Sequence, residues 1–187
     1  SGADEPTDTG SVRHVNRLYT CRHSRSLPMK TFADRRGPTI VIGCGNLLCG
    51  DDAAGPTLIR RLRDRGLTAS IRCFDAATDA ITVIDAIRGM VRVIFVDACS
   101  SGAEPGTILE VSGSEAEDIP PTRIALHSVR WNHALAGARR MLGPDFPREV
   151  NVWLIEGRHF EPGDPLTSEV DQAIDRLVAR LLNDLED

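Results

Sequence analysis

Four side chains in this chain have types and positions that could do metal or acid–base chemistry: Asp51, Asp52, Asp97 and His127. The tandem acids close the run Gly43-Cys44-Gly45-Asn46-Leu47-Leu48-Cys49-Gly50 and lead into a helical pattern. One of the two is expected to cap that helix. The other then has no structural duty, and a helix N-terminus keeps a carboxylate ionised, as a metal ligand must be. Asp97 follows the apolar run Val93-Ile94-Phe95-Val96, so it is expected to pass from a buried strand directly into a loop. A carboxylate there is costly unless it is paired, hydrogen-bonded or bound to a cation. His127 precedes Ser128 at an expected helix start. Each has a bland explanation when taken alone: a glycine-rich turn, an Asp capping a turn through Ser100 or Ser101, an exposed loop histidine. Together, two carboxylates and an imidazole make three hard-to-borderline donors, a set that leaves coordination positions open for water or substrate.

Several other chemistries are excluded by what the motifs lack. A dinucleotide fingerprint fails because Gly43-x-Gly45 has Leu48 at the third glycine position, and no Walker lysine exists, Lys30 being the single lysine. No nucleotide cofactor is therefore expected. A serine hydrolase lacks its Gly-x-Ser-x-Gly elbow despite Ser100, Ser101 and Ser128, and a zincin lacks His-Glu-x-x-His. The five cysteines, Cys21, Cys44, Cys49, Cys73 and Cys99, form no Cys-x-x-Cys pair. That pattern indicates a reduced, cytoplasmic chain, with Cys73 and Cys99 as small buried apolar residues and no thiol nucleophile.

These candidates must be positioned by an alternation of β-branched runs and amphipathic stretches that begins at Pro38. Strands are expected at 39–43, 70–75, 91–97, 107–111 and 149–155, and helices at about 53–65, 78–88, 128–142 and 168–185. The segments 99–106 and 112–124 are expected to be loops. The last helix has the clearest stripe, Val170, Ala173, Ile174, Leu177, Val178, Leu181, Leu182 and Leu185, with Ser168 and Asp171 as a capping box. The pattern implies an α/β fold: three α/β/α layers around a mostly parallel, twisted sheet of about five strands. In such a sheet ligands sit at the carboxyl ends of the strands. Asp75 closes the second strand there, as Asp97 closes the third.

Charge divides the chain. Of 187 residues, 41% are hydrophobic and 26% charged, with a net charge of −5. Residues 1–36 carry seven basic and four acidic side chains, a net of +3, which leaves −8 for 37–187. The acidic body argues against nucleic acid as a partner. No apolar run approaches the roughly 20 residues of a membrane-spanning helix. Residues 1–36 are expected to form a poorly structured tail, with 1–28 an extension upstream of Met29, and residues 37–187 a single α/β domain.

From about Thr39 to Leu185 the chain resembles the nickel-iron hydrogenase maturation endopeptidases. The resemblance rests on Gly43-Cys44-Gly45-Asn46 through Asp51-Asp52 to Gly55, on Asp97-Ala98 with Pro105-Gly106-Thr107, on His127 with Leu135-Ala136-Gly137-Ala138, and on Pro162-Gly163 with Leu166-Thr167. It implies a phosphorylase/hydrolase-like form of the α/β fold and a metal-dependent endopeptidase of aspartic character. That enzyme would remove the C-terminal extension of a hydrogenase large-subunit precursor after nickel insertion. Asp52, Asp97 and His127 would be the catalytic and metal-contacting residues, the divalent metal being nickel supplied by the precursor. Asn46, Asp75 and Thr78 would contact that substrate. Transient association with the precursor implies a monomer.

Two departures from the family pattern stand out. Asp75 is followed by Ala76-Ala77-Thr78 where the family has a glycine-rich Gly-Thr turn, and Glu156-Gly157-Arg158-His159 replaces a Gly and Gln-Pro or Glu-Pro pattern. The first motivates a competing expectation, a non-proteolytic nickel- or precursor-binding maturation chaperone of the same fold. His133 and His159 are expected to be structural or surface residues.

Overall fold

Six consecutive residues, Thr39–Cys44, are buried on both faces and form β1. A strand that is apolar all along its length belongs in the middle of a parallel sheet covered by helices on both sides. In the computed structural model, which describes residues 37–67, 71–77, 80–117 and 131–186, β1 lies between β2 (Ile71–Ala77) and β3 (Arg92–Cys99). The sheet order is β2-β1-β3-β5-β4, with β5 at Glu149–Glu156 and β4 at Ile108–Ser112. Pairings β1–β2, β1–β3 and β3–β5 are parallel, and β4 runs antiparallel along the edge. The expected fold class is therefore observed. The expected tail, 1–36, lies outside the described residues, as do Thr78 and His127.

Strand alternation divides the core. Ile40, Ile42, Cys44, Val93 and Phe95 face one side, where they pack with Val83, Ile87, Leu135 and Ala138. Those partners come from α2 (Ala80–Ile87) and α4 (Trp131–Leu142). Val41, Ile94, Val96 and Ala98 face the other side, against α1 (Ala54–Asp64) and α5 (Ser168–Glu186). The α5 stripe is buried at Val170, Ala173, Ile174, Leu177, Val178 and Leu181. Arg61 joins α1 to α5 through Asp171 and Asp175. Arg92, at the start of β3, holds Asp184 near the end of α5 at 2.5 Å.

The structure corrects four local expectations. β2 and β3 each run two residues past the acid expected to end them, because Ala77 and Cys99 still find partners in β1 and β5. The segment 112–124, expected as loop, contains the short helix α3 (Gly113–Glu117), with Ser112 accepting the N–H of Glu115. The capping box at Ser168 is not formed: its hydroxyl donates to Glu169 Oε2, and the N–H of Asp171 goes to the backbone carbonyl of Thr167. Neither Asp51 nor Asp52 caps the first helix; both side chains are used elsewhere.

Candidate active site at the ends of β1 and β3

The chain leaves β1 toward β2 on one side, and returns from β2 across β1 to β3 on the other. Between β1 and β3 the order reverses, so a crevice must open outside their carboxyl ends. Asp52 follows β1 and Asp97 lies on β3, so the two acids flank that crevice. Asp97 is one residue past Val96, the register partner of Gly43.

Asp52 is placed by close backbone packing. A Cβ on Gly55 would lie 2.2 Å from the Cys44 carbonyl oxygen and 2.6 Å from that of Val96. A Cβ on Gly45, whose φ is +129°, would lie 1.9 Å from the carbonyl oxygen of Asp52. Only glycine lets the first turn of α1 seat directly on the ends of β1 and β3. The N–H of Asn46 then donates to Asp52 Oδ2 at 2.8 Å. Asn46 Oδ1 accepts the N–H of Leu48 at 3.0 Å, which helps to fold this loop. Asp52 is buried, its Oδ1 included.

Asp51, its neighbour, has a different task. Its Oδ2 accepts the N–H groups of Arg158 and His159 at 2.8 and 3.1 Å. Oδ1 accepts the N–H and hydroxyl of Thr167 at 2.9 and 2.7 Å. Burial alone would raise its pKa. The N–H of Arg158, the N–H and hydroxyl of Thr167 and the N–H of His159 together outweigh burial and hold the carboxyl below its ordinary value. The tandem acids thus separate into a strut, Asp51, and a group at the crevice, Asp52.

Asp97 is fully buried, and its Oδ1 accepts the N–H of Ala98 at 2.9 Å. Cys44, at the end of β1, reports the charge around it. Burial first, then the charges of Asp97, Asp75 and Asp52, push its thiol well above the ordinary range. All three acids therefore act on one buried sulfur, and a thiolate nucleophile is disfavoured there. Cys99 is likewise raised, by burial and then by Glu156.

Asp75 pairs in register with Gly43, and its Oδ1 accepts the N–H of Ala77 at 3.0 Å. Ala77 has φ +45°, the left-handed region that favours glycine. Its carbonyl accepts the N–H of Gly45 at 3.1 Å, which ties the end of β2 to the crevice loop. The backbone thus takes a glycine-type conformation with alanine in it.

Reasoning from the sequence missed Glu156, noted only as a departure. It is buried and accepts the N–H of Ser101 at 2.9 and 3.0 Å, the Ser101 hydroxyl at 2.7 Å and the N–H of Gly102 at 2.9 Å. The Cys99 thiol donates to it at 3.3 Å. The signal that found Asp97, an acid ending an apolar strand, was equally present in Val152-Trp153-Leu154-Ile155-Glu156.

Among the described residues, no group of three or more His, Cys, Asp and Glu side chains could hold a metal ion. Asp52 and Asp97 supply two hard oxygen donors, and the expected third donor, His127, lies outside the described residues. Carboxylate and imidazole donors suit a divalent ion such as nickel, so the donor types fit.

The chain matches the family model for hydrogenase maturation proteases over residues 56–184. The matched stretch includes Asp97 and His127 and begins four residues after Asp52. A putative hydrogenase maturation protease of Methanocaldococcus jannaschii is 28% identical over 156 residues, 79% of this chain and 96% of that protein. The hydrogenase 2 maturation protease of Escherichia coli is 24% identical over 145 residues, 76% of this chain and 87% of that one. In fold, the chain is similar to the hydrogenase maturating endopeptidase HybD from Escherichia coli, with a TM-score of 0.67 at 22% identity, covering 79% of this chain and 91% of that one.

Proposed function

This chain belongs to the hydrogenase maturation protease family, and from that premise we propose that it is a cytoplasmic endopeptidase which removes the C-terminal extension of a nickel-iron hydrogenase large-subunit precursor once nickel has been inserted. The observation that carries the reading is the burial of two carboxylates, Asp52 and Asp97, at the one crevice where the strand order reverses. Burying ionisable groups is costly, and two carboxylates kept together at a crevice mark it as a place for chemistry on a cation or a polar substrate group.

In this reading Asp52, Asp97 and His127 form a donor set that the precursor's own nickel completes. The nickel is then part of the substrate, and it supplies the polarisation of the scissile carbonyl or of a water. The chain's own residues do the rest. The Asn46 N–H fixes Asp52 Oδ2 in direction, and the Ala98 N–H fixes Asp97 Oδ1. One of the two carboxylates accepts the proton of the attacking water. The exposed Leu47 and Leu48 on the crevice loop offer an apolar rim to an extended peptide, and Asp75, near the end of β2, lies in register with Gly43 of β1.

The test is incubation with purified precursor in nickel-loaded and nickel-free forms, read by intact mass. The reading expects loss of a C-terminal peptide from the loaded form alone. Stable complex formation with no loss of mass would favour the chaperone instead.

A further inference from the structure

Two carboxylates outside the donor set, Asp51 and Glu156, converge on one short segment. Glu156 ends β5 opposite Cys99, two residues past Asp97 in the β3–β5 ladder. It gathers the N–H groups of Ser101 and Gly102, the Ser101 hydroxyl and the Cys99 thiol. The next residue, Gly157, donates its N–H to the Cys99 carbonyl at 2.9 Å. Arg158 and His159 then donate theirs to Asp51, and the His159 carbonyl accepts the N–H of Asp51 at 2.7 Å. Four residues therefore join the chain just after Asp97 to the chain just before Asp52. The join is tight: a Cβ on Gly157 would lie 2.7 Å from Asp51 Cβ and 2.8 Å from the Phe160 ring.

We propose that Glu156-Gly157-Arg158-His159 is a brace that sets the spacing of Asp52 and Asp97, with Glu156 and Gly157 as positioning residues for the reaction. The inference deepens the proposed function and rests on it for its kinetic consequences. Neither residue needs to touch substrate. Catalytic constellations tolerate little misplacement, a shift of about 1 Å costing on the order of 100-fold in rate. Supporting groups around ligand sets typically matter by about 10–100-fold. Removing the Glu156 carboxylate releases the Ser101–Gly102 turn and lets the end of β3 loosen back toward Asp97. A methyl group at 157 instead wedges the brace away from Asp51 and displaces the Asp52 side.

The experiment uses the full chain with nickel-loaded precursor, under single-turnover conditions at a temperature where every variant is folded. Glu156→Ala and Gly157→Ala are expected to slow cleavage about 10–100-fold with KM changed less than about 3-fold. Glu156→Gln keeps an amide oxygen for the two N–H donors and turns its NH2 toward the Ser101 hydroxyl, so it should recover to within about 5-fold of the parent. Asp184→Asn, which weakens the Arg92 ion pair at the opposite end of the sheet, is expected to lower Tm and leave the rate unchanged. The brace is overturned if Glu156→Ala cleaves within about 3-fold of the parent, if Glu156→Gln is as slow as Glu156→Ala, or if Asp184→Asn slows cleavage as much. A second measurement needs no cleavage: the side-chain carboxyl 13C resonances of Asp52 and Asp97. Both should shift in Glu156→Ala and Gly157→Ala while that of Asp64 stays in place, and unmoved Asp52 and Asp97 signals would refute the brace. A parent that never cleaves precursor, with shifted resonances in the variants, would sink the proposed function and leave the brace standing.

Discussion

Replacing Asp51 by Asn removes one charge from a buried carboxylate that four donors surround, and the loss can be worked from the geometry. Asparagine keeps one oxygen. If that oxygen stays with the N–H groups of Arg158 and His159, the new NH2 faces Thr167, which presents both an N–H and a hydroxyl to Oδ1. The hydroxyl can turn and accept. The backbone N–H cannot, and a stranded, partly buried donor costs about 1–3 kcal/mol. The two bonds that remain lose their charge assistance, which weakens each by about half, or about 1 kcal/mol together. The expected destabilisation is about 2–4 kcal/mol, a large share of the roughly 5–15 kcal/mol that holds a domain folded. In urea, with a slope of about 2 kcal/mol per molar, the midpoint should fall by about 1–2 M. Acid gives a second check. The carboxyl is held below its ordinary pKa in the folded chain, so its stabilisation is full above the unfolded value of about 3.9 and is lost as pH falls through the lower folded value. The gap between parent and Asp51→Asn should therefore be widest near neutrality and narrow below about pH 4. A midpoint shift under about 0.3 M, or a gap that does not narrow in acid, would refute the strut.

The remaining predictions concern the same loops. Ala77→Gly should stabilise the protein: leaving the left-handed strain gains about 1–2 kcal/mol and the freer unfolded chain returns about 0.4–1 kcal/mol, a net of about 0.5–1 kcal/mol seen as a Tm rise of about 2–3 °C in calorimetry. Gly55→Ala should destabilise by about 3 kcal/mol or more in denaturant titration, because its methyl group meets backbone oxygen on two strands and no flexible side chain can yield. Brief treatment of the native protein with iodoacetamide at pH 8 should label Cys49, which is partly exposed, and spare Cys44 and Cys99, which are buried with raised pKa values; peptide mass mapping reads the sites.

The sheet was legible because its central strands β1 and β3 are buried on both faces and its helices carry one stripe each: periodicity alone placed β1, β3 and β5 to within one or two residues and found α5. Strand ends were less legible, since Asp75 and Asp97 look like terminators while the ladder continues to Ala77 and Cys99. Local spacing also mis-assigned caps. Ser168 and Asp171 stand at the right separation, but Thr167 is held by Asp51 from 116 residues away, and no local window contains that partner. The same limit hid the roles of Asp51 and Glu156, whose donors are all distant in sequence. What spacing did locate was the crevice, because glycines that allow close packing, followed by acids at strand ends, are local features. His127 and Thr78 lie outside the described residues, so their part in the site rests on the family pattern.

The central claim is that Asp52 and Asp97 act together at the β1–β3 crevice on a precursor that carries nickel. Its most direct test is the single-turnover cleavage of nickel-loaded precursor by Asp52→Asn, Asp97→Asn and His127→Ala, each verified as folded by its urea midpoint. The account predicts that the parent releases the C-terminal peptide and that each variant is slowed at least about 100-fold. Folded Asp52→Asn and Asp97→Asn proteins that cleave at the parent's rate would contradict it.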